Sequence, residues 1–450
     1  MHDESVKDRE PICVIGLGKV GLGFAACLAR SGFDVLGLDT DVALVGRINA
    51  GTAVSDEPGV DEVLRHTCAG RLRASHSSAD AAGHADMAFL LLPTPSRLDG
   101  SLDTAPLAGA LTGLCDSLRA SRRERYTIVI GSTVSPGSMT GVLIPAMARA
   151  FDGSIGKGVA ICYNPELIAL GSVVADFERP DLIIIGADDR AAGLAVERVH
   201  RKLLRNVPVI HHMSLIDAEI TKIALNNYLT IKISFANFLS QMCAGIPGAS
   251  VDAITTALGS DGRIGARFLR AGLAFGGPCF PRDTAALAAW AAEHDHTAPL
   301  VDAVVAVNRA QHDLLLSTVR GAMARAGARA VALLGLAYKP STPHVLGSPS
   351  MALIEALHAD GVRIIAYDTR ALGGAAALDG RFEPAEDVTA CVGAAPVVVL
   401  MHAESSYIAA IHAYRGAEAK TVVDCWRSLG PAVSNPHLTV IGLGQAITQA

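Results

Sequence analysis

Two stretches of the chain alternate short apolar strands with helices, and this rhythm limits its possible folds more than any other feature. In the first stretch, strands are predicted at Ile12–Ile15 and Asp34–Leu38, on either side of a helix at Lys19–Arg30. The series continues with strands at Ala88–Leu92 and Thr127–Ile130. Such alternation is typical of a parallel sheet with helices on both faces. The first stretch is therefore predicted to be an α/β domain.

The second stretch begins near Ala328 and repeats the same rhythm. A helix is predicted there at Ser348–His358. The strands are predicted at Ala330–Leu334, Val362–Tyr367, Val397–Met401, Thr421–Asp424 and Leu438–Ile441. This pattern predicts a second α/β domain.

A helical segment separates the two stretches. A long helix is predicted from Ser214 to about Ala244, because this segment contains neither Pro nor Gly. Helical spacing predicts one apolar face, formed by Ile220, Ile223, Ala224, Tyr228 and Ile231. Shorter helices are predicted on either side of the loop Gly272–Pro281, which is rich in Gly and Pro. The long helix would be able to join two domains.

A glycine motif follows the first predicted strand directly and opens the first helix. It consists of Gly16, Gly18 and Gly21, with Val20 inside it. Glycines in this context allow a tight turn and let backbone N–H groups approach a pyrophosphate. Asp39 ends the next strand, where a carboxylate accepts hydrogen bonds from ribose hydroxyls and disfavours a 2′-phosphate. The motif therefore predicts NAD rather than NADP as the cofactor.

The length of the chain indicates more than one domain, since 450 residues exceed what one hydrophobic core usually supports. An α/β fold class with three parts is predicted. The parts are an N-terminal Rossmann-type domain at 1–210, a central helical domain with the long connecting helix at 211–325, and a C-terminal Rossmann-like α/β domain at 326–450.

Composition excludes several classes of protein. Hydrophobic residues make up 50% of the chain and charged residues 18%, which is typical of a globular protein. Every apolar run is interrupted before it reaches the roughly 18 residues that cross a bilayer, so no membrane span is expected. The segment Met1–Glu10 is polar and lacks the pattern of a secretory signal, which favours a cytoplasmic location. The net charge of −6, without a basic run, argues against nucleic acid as a partner.

The nine cysteines are scattered singly, without a Cys-x-x-Cys pair. Their odd number and spacing argue against a disulfide framework and against a zinc site, and most are expected to be reduced and buried. His211 and His212 have no third metal ligand nearby in the sequence, so they stay unassigned and no metal is predicted.

Cys279 lies in the loop Phe275–Asp283, beside two glycines and between two prolines. Adjacent glycines expose the backbone to a ligand, and a thiol there is able to form a thiohemiacetal with an aldehyde. Asp283 lies four residues further on and shares a helical face with Cys279 if a helix begins after Pro281. A buried structural cysteine is the alternative interpretation.

Other polar residues are candidates only by position. Lys222 and Asn226 are one helical turn apart, where they are able to steady an oxyanion or simply form a solvated helix face. Thr133 and Glu166 follow predicted strands, where sites in α/β proteins gather. Arg263 and Lys339 are candidates for phosphate or sugar binding, although isolated basic residues usually lie on the surface.

Taken in order, these segments resemble the UDP-glucose/GDP-mannose dehydrogenase family over nearly the whole chain. The matching stretches are Gly16–Gly21, Leu92–Pro95 with Asp99 and Gly100, Ser132–Gly137, Asn164–Leu167, Lys222 with Asn226, Gly262–Gly265, Phe275–Asp283, Leu334–Pro340 and Ser348–Ser350. The resemblance implies a four-electron oxidation of the C6 alcohol of a nucleotide sugar to a carboxylate, with two NAD and a thioester on Cys279.

The resemblance also implies a role for each matching residue. The implied catalytic residues are the nucleophile Cys279, the oxyanion-stabilising Lys222 and Asn226, and Asp283, Glu166 and Thr133, which handle protons and water. The implied cofactor-binding residues are Gly16, Gly18, Val20, Gly21, Asp39, Thr94, Thr133 and Arg282. The implied substrate-binding residues are Glu166, Lys222, Asn226, Arg263, Phe268, Leu269, Gly272, Gly276 and Lys339, with Arg263 reaching the substrate of a neighbouring subunit. The long central helix resembles the family's dimer core, which implies a homodimer or a higher homo-oligomer.

Some family positions differ in this chain. Leu44, Leu170 and Leu346 stand where the family has charged residues, and Arg282 replaces a lysine. These differences leave open a specialised paralogue in secondary metabolism, or a nucleotide-sugar-binding protein that has lost its chemistry. UDP-glucose is favoured as the substrate over GDP-mannose or a UDP-N-acetylhexosamine, on the motif Arg267–Gly272. A two-electron β-hydroxyacid dehydrogenase is a further alternative, although enzymes of that class lack a third domain such as the one predicted at 326–450.

Overall fold

A computed structural model of the chain describes residues 9–53, 55–67, 70–122, 125–151, 158–378, 380–430 and 435–445. The chain divides into two compact units. The first unit contains the chain up to Leu225 together with Ala289–His294, and the second contains Asn226–Ala288 together with the chain from Asp295. The domain boundaries at 210 and 325 stay a prediction.

The first unit is built on an eight-stranded sheet. Its strands are β1 (Pro11–Ile15), β2 (Asp34–Leu38), β3 (Leu72–Ser75), β4 (Met87–Leu90), β5 (Tyr126–Ile130), β6 (Val159–Tyr163), β7 (Leu182–Ala187) and β8 (Val209–Met213). Their order across the sheet is β3-β2-β1-β4-β5-β6-β7-β8. β1 is an interior strand between β2 and β4, and both are parallel to it.

The predicted strands β1, β2, β4 and β5 are parallel, as expected, whereas a pair of strands that was not predicted, β6 and β7, is antiparallel. The segment that joins them carries only the six-residue helix Val173–Glu178. Because the two strands are antiparallel, β7 starts at the edge of the sheet where β6 ends, and the connection stays at that edge instead of crossing the sheet.

Helices cover both faces of this sheet. They are α1 (Lys19–Arg30), α2 (Val42–Asn49), α3 (Val60–Thr67), α4 (Ser78–His84), α5 (Ala105–Ala120), α6 (Ile144–Ala150), α7 (Val173–Glu178) and α8 (Arg190–Leu203). A π-helical turn, Met139–Leu143, leads directly into α6. Two apolar clusters, one containing Val14 and Phe24 and the other Ile15 and Leu107, form the core. Side chains that alternate along buried strands contribute to both clusters.

Long helices follow the first sheet. They are α9 (Leu215–Cys243), α10 (Val251–Gly259), α11 (Phe280–Glu293) and α12 (Pro299–Ala326). The predicted long helix is confirmed as α9, and α10 and α11 flank the loop at 272–281. The 28-residue helix α12 was not predicted. It begins at a proline and ends before Gly327, whose φ of +60° closes the helix in a left-handed cap.

The predicted apolar face of α9 is wrong in part. Ile223 is buried, but Ala224 is exposed and the Tyr228 side chain is 61% exposed. Further exposed apolar side chains on the same helix, Phe235, Phe238 and Met242, are 48%, 43% and 54% exposed. The helix therefore carries an apolar stripe outside the core of its own chain, which helical spacing alone does not distinguish from a core face.

The second unit contains a six-stranded parallel sheet in the order β11-β10-β9-β12-β13-β14. Its strands are β9 (Ala330–Leu334), β10 (Arg363–Tyr367), β11 (Glu383–Pro384), β12 (Val397–Leu400), β13 (Lys420–Asp424) and β14 (Leu438–Gly442). Its helices are α13 (Pro349–Ala359), α14 (Val388–Gly393) and α15 (Ser405–Ala413), with a 3-10 helix at Gly373–Leu378. The predicted fold class, two α/β parts separated by a helical part, is confirmed. In the part of the chain that the structure describes, no helix is both long and apolar enough to span a membrane.

Candidate active site

The glycine turn after β1 has the geometry that the sequence predicts. Gly16 has a φ of +93°, a conformation that disfavours residues with a Cβ. A Cβ at Gly21 would lie 1.8 Å from the carbonyl oxygen of Gly16, so only glycine allows α1 to start this close to the turn. Gly18 is exposed immediately before α1, whose first residues are Lys19 and Val20. The turn therefore presents backbone and a helix N-terminus to solvent, as a pyrophosphate site requires.

Asp39 follows β2 and holds this turn. One of its carboxylate oxygens accepts the Leu17 N–H at 2.7 Å, and the other accepts the Asp41 N–H at 2.9 Å. A carboxylate offers about four acceptor positions, so these two bonds leave capacity for ribose hydroxyls. Leu44, which stands where the family has a basic residue, packs against the apolar core. The site thus fits the diol of NAD and adds no cation for a 2′-phosphate at that position.

Thr133 lies in the turn after β5 and is 3% exposed. Its carbonyl oxygen accepts a hydrogen bond from the hydroxyl of Thr94, which is equally buried, at 2.7 Å. Within the described residues, the Thr133 hydroxyl itself has no hydrogen-bond partner. An unpaired buried hydroxyl is costly, and such groups commonly wait for a ligand or a water molecule. The role of Thr133 towards a ligand or water stays a prediction.

Glu166 lies in the turn after β6, next to the Thr133 turn, because β5 and β6 are neighbours. The Lys222 ammonium donates to the carbonyl oxygen of Glu166 at 2.6 Å. Lys222 is only 5% exposed, so the alternative of a solvated helix face is wrong for this residue. Leu170, further along this turn, packs against the apolar core. The first unit thus brings together Thr94, Thr133, Glu166 and Lys222, and their catalytic and binding roles stay predictions.

His200 on α8 is a residue of this region that the sequence analysis missed. Its Nε2 lies 2.6 Å from Oδ1 of Asn164, whose amide group donates to the carbonyl oxygen of Ile184 at 2.8 Å. Because that Asn164 oxygen is an acceptor, His200 donates the proton. Burial lowers the pKa of His200 to about 4, which keeps the ring neutral. A small, partly open cavity of about 40 Å³ adjoins His200 and Glu166. A lone histidine on an amphipathic helix gives no signal of this contact.

In the second unit, Asp283 is fully buried at the start of α11. Its carboxylate accepts a hydrogen bond from the Asn226 amide at 2.5 Å and from Arg282 at 2.8 Å. Asn227 binds its carbonyl oxygen at 3.0 Å. The Asp283 N–H donates to the carbonyl oxygen of Cys279 at 2.8 Å, so Asp283 and Cys279 are joined through one helical turn. The predicted residues Asn226, Cys279, Arg282 and Asp283 thus form one cluster.

The exposure of Cys279 separates it from the other cysteines. Eight cysteines lie in the described residues, no disulfide joins them, and seven are buried while Cys279 is exposed. The alternative of a buried structural cysteine is therefore wrong. A Cβ at Gly276 would lie 1.9 Å from the carbonyl oxygen of Gly347, and one at Gly277 would lie 2.5 Å from the Tyr338 ring. Both glycines are thus needed to pack the Cys279 loop closely.

The loop Phe268–Gly272 is fixed by residues that the sequence analysis did not single out. Phe268 has a φ of +62° and is 46% exposed, while Leu269 is buried. A Cβ at Gly272 would lie 2.3 Å from the ring of Trp426. The nearly buried Arg427 side chain pairs with the carboxylate of Asp252 and also donates to the carbonyl oxygen of Ala271 at 2.6 Å. Trp426 and Arg427 belong to no recognisable sequence motif, so the sequence carries no indication of these contacts.

The two isolated basic candidates are placed differently. The Arg263 side chain is 89% exposed and pairs with Asp261 at 2.6 Å. Lys339 lies over the ring of Tyr338, with its ammonium 5.8 Å from the ring centre. Their contacts with a nucleotide sugar stay predictions.

His212 pairs with Glu197, and the described residues contain no group of three or more His, Cys, Asp or Glu that could hold a metal ion.

Family models match the chain in three consecutive parts. The UDP-glucose/GDP-mannose dehydrogenase family, NAD binding domain, matches residues 10–204. The central domain of that family matches residues 216–310, and its UDP binding domain matches residues 332–431. Together these matches cover most of the chain in the order found in the family.

Individual relatives and structures agree with these matches. UDP-glucose 6-dehydrogenase of Haloferax volcanii is 37% identical over 360 residues, which are 79% of this chain and 83% of that protein. GDP-mannose 6-dehydrogenase of Azotobacter vinelandii is 30% identical over 361 residues, which are 80% of this chain and 81% of that protein. The structure of a UDP-glucose dehydrogenase from Pyrobaculum islandicum matches with a TM-score of 0.86 and 30% identity, covering 97% of this chain and 98% of that one.

Proposed function

Because the chain belongs to the UDP-glucose/GDP-mannose dehydrogenase family, we propose that it oxidises the C6 alcohol of UDP-glucose to the uronic acid, with Cys279 as covalent catalyst. The chain is an NAD-dependent nucleotide-sugar 6-dehydrogenase, and the choice of sugar and the mechanism are the proposal. The observation that carries it is the exposure of Cys279 among seven buried cysteines of the described chain. A nucleophilic thiol must be accessible, whereas a structural one need not be.

The roles of the chain's own residues follow from this assignment. NAD, when bound, accepts a hydride in each of the two oxidations. The Cys279 sulfur adds to the carbon of the sugar aldehyde, and the resulting thiohemiacetal is oxidised to a thioester. Lys222 and Asn226 stabilise the oxyanion with N–H donors. Water then cleaves the thioester, which releases the acid and restores the thiol.

Buried groups handle the protons in this proposal. Asp283 is fully buried and accepts hydrogen bonds from Asn226 and Arg282, which fixes it one turn from Cys279. The Thr133 hydroxyl has no hydrogen-bond partner among the described residues, which supports a role in holding the attacking water. The Glu166 turn, fixed by Lys222, supplies a carboxylate for proton transfer. Arg263, Phe268, Leu269, Gly272, Gly276 and Lys339 are proposed to surround the nucleotide sugar.

UDP-glucose is favoured over the other nucleotide sugars by the relatives. The relative from Haloferax volcanii, which is named for UDP-glucose, is 37% identical, whereas the one named for GDP-mannose is 30% identical. A UDP-N-acetylhexosamine stays the third candidate. The match of residues 332–431 to a UDP binding domain disfavours a two-electron β-hydroxyacid dehydrogenase, which lacks that domain. The accessible Cys279 disfavours a binding protein without chemistry, because binding alone needs no thiol.

A homodimer, with the apolar stripe on α9 as its interface, is part of the proposal. The stripe consists of Tyr228, Phe235, Phe238 and Met242 on α9, with Ile246 just beyond the end of the helix, all at least 43% exposed. Exposed apolar patches of this kind mark protein interfaces. Sedimentation should show a dimer for the wild type and a monomer for Phe238→Glu.

A cytoplasmic location is also proposed, and the absence of a disulfide among the eight described cysteines supports it.

One assay tests the reaction and the substrate together. The protein is incubated with NAD and, separately, with UDP-glucose, GDP-mannose and UDP-N-acetylhexosamines, and products are identified by mass. We expect UDP-glucose to gain the mass that converts CH2OH to COOH, with two NADH for each acid. One NADH per turnover would instead indicate the two-electron class, and activity confined to another sugar would correct the substrate.

The covalent step is tested by Cys279→Ser. This variant should block acid formation while allowing slow aldehyde formation, because the hydroxyl of serine is a far weaker nucleophile than a thiolate. Cys243→Ser is the matched control, since Cys243 is a buried cysteine of the same unit and should change stability without blocking the acid. Undiminished acid output from Cys279→Ser would contradict the mechanism.

A further inference from the structure

Helix α9 carries a second buried charged residue, Glu219, one turn before Lys222. Glu219 is 0% exposed. Its two carboxylate oxygens accept the N–H groups of Gly137 and Met139 at 2.9 and 2.7 Å. Neither the glycine motif nor the cysteine loop includes this residue, and the proposed mechanism does not use it.

The hydrogen bonds of Glu219 join it to the segment that follows Thr133 in the chain. Gly137 follows Thr133 by four residues and has a φ of +90°, and Met139 begins the π-helical turn that continues into α6. A negative charge at such a helix start is favourable, because the first backbone N–H groups of a helix have no partners within it. The carboxylate thus fixes the end of the Ser132–Gly137 turn to α9.

Lys222 fixes the neighbouring turn to the same helix. Its ammonium donates to the carbonyl oxygen of Glu166 at 2.6 Å, and residues three positions apart on a helix lie on the same face. One face of α9 therefore holds the turn after β5 through Glu219 and the turn after β6 through Lys222. The helix therefore adds a second link between the two turns, which the neighbouring strands β5 and β6 already hold side by side.

We propose that Glu219 is a positioning residue, which holds the Thr133 turn in register with the Glu166 turn for thioester hydrolysis. This inference rests on the proposed function, because it assigns Thr133 to the water step. Burial raises the pKa of the Glu219 carboxyl, while the N–H groups of Met139 and Gly137 act in the opposite direction. Each of the two carboxylate oxygens accepts one of these amides.

Glu219→Gln is the variant that tests the inference. The amide keeps the shape of the side chain but places an NH2 group against one of the two N–H donors, so one bond is lost. We expect kcat to fall about tenfold or more, with a much smaller change in the KM for NAD. Glu219→Asp, which keeps the charge but is too short to reach both amides, should behave similarly. Glu62→Gln is the matched control, because Glu62 is exposed on α3 of the same unit.

The decisive measurement is the fraction of Cys279 that carries the sugar acyl group during turnover, read by acid quench and mass spectrometry of its peptide. Slow hydrolysis should raise that fraction several-fold in Glu219→Gln, whereas general loss of folded enzyme leaves the fraction within the folded protein unchanged. Hydrogen exchange of residues 134–143 should also accelerate in this variant and not in Glu62→Gln.

The possible outcomes separate the inference from the proposed function. An active wild type whose acylated fraction and kcat are unchanged by Glu219→Gln overturns the inference alone. Faster exchange with an unchanged acylated fraction also overturns it, because Glu219 would then be structural only. A wild type that never forms an acyl group on Cys279 overturns the proposed mechanism, and the inference with it. If neither variant folds, hydrogen exchange of the wild type at several pH values still decides. Protection of the amides of residues 137 and 139, relative to the intrinsic exchange rate, that is lost on acidification supports the carboxylate contact. Absence of protection at all pH values overturns it.

Discussion

The two α/β folds of this chain share the order of their first six strands, but the aspartate that follows the second strand has different surroundings in each. In each sheet the strand order begins third-second-first-fourth, with the first strand next to the second. In each, the glycine after the first strand donates its N–H to the last residue of the second strand, Gly16 to Leu38 at 2.8 Å and Gly335 to Tyr367 at 2.9 Å. An aspartate follows that residue in both folds, Asp39 in one and Asp368 in the other.

The two aspartates differ in their remaining capacity to accept hydrogen bonds. Asp39 is partly exposed and accepts two backbone N–H groups. Asp368 is 4% exposed and accepts four, from the residues Leu336, Ala337, Arg370 and Ala371. Because a carboxylate has about four acceptor positions, Asp368 has none left for a ribose.

The glycine turns differ as well. In the first fold α1 begins at Lys19, directly after the turn, whereas in the second fold α13 begins only at Pro349. The ring of His402 lies against Gly335, where a Cβ would approach it to 2.7 Å, and its Nε2 contacts the carbonyl oxygen of Ala337 at 3.0 Å. Protein atoms thus occupy the surroundings of the second turn. A shared topology therefore does not imply a shared ligand site, which depends on exposed donors and acceptors.

The largest expected effect is on stability, and it should differ between the two aspartates. Asp368→Ala leaves four N–H groups unpaired, three of them buried, which should lower the free energy of unfolding of the second unit by on the order of 5 kcal/mol. Asp39→Ala leaves two N–H groups near solvent and should cost about 1 kcal/mol. The chain has two tryptophans, Trp290 in the first unit and Trp426 in the second, so Trp→Phe backgrounds report each unit in denaturant unfolding. Equal losses of unfolding free energy in Asp368→Ala and Asp39→Ala would contradict the difference between the two aspartates.

The stability of the two units should also depend differently on pH. Burial lowers the pKa of His200 to about 4 from 6.5, so the unfolded chain binds a proton between these values that the native state does not. The stability that His200 contributes is therefore complete above pH 6.5 and is lost as pH falls towards 4, by about 3 kcal/mol. Burial also lowers the pKa of His402, but the charge of Asp368 opposes that shift. The first unit should thus be the more acid-sensitive.

The measurement for this second effect is unfolding of each unit at several pH values, followed by its own tryptophan. His200→Gln keeps a donor for Asn164 but does not titrate, so it should remove most of the acid sensitivity of the first unit. An acid sensitivity that is the same in His200→Gln and the wild type would show that other groups cause it.

The smallest expected effect is on cofactor binding. Asp39→Ala should raise the KM for NAD about tenfold and reduce the preference over NADP, because the ribose hydroxyls lose their acceptor. Asp41→Ala is the control, since it removes the neighbouring carboxylate that caps α2 but leaves the oxygens of Asp39 in place. Steady-state kinetics with both cofactors gives the answer, and an unchanged KM in Asp39→Ala would remove Asp39 from the cofactor site.

Much of the fold was predictable because its signals are local. The strand that ends at Ile15, the helix Lys19–Arg30 and the strand Asp34–Leu38 were predicted within a residue of their observed bounds, since periodicity and turn residues act over a few positions. Of the first-unit site, the positions of Thr133 and Glu166 after strands were predictable from the rule that sites gather at strand ends, whereas Thr94 and Lys222 were named as site residues by the family resemblance. The antiparallel β7 and the helix α12 were missed.

The sequence by itself determined the alternation of elements, the glycine turn with Asp39, and the order of the family motifs, because each depends on residues close together in the chain. The tertiary structure alone decided that Cys279 is exposed, that Asp368 is saturated with hydrogen bonds, and that Glu219 and His200 support the turns at Thr133 and Asn164. Burial and hydrogen-bond partners at long sequence separation are properties of the folded chain, and no local pattern encodes them.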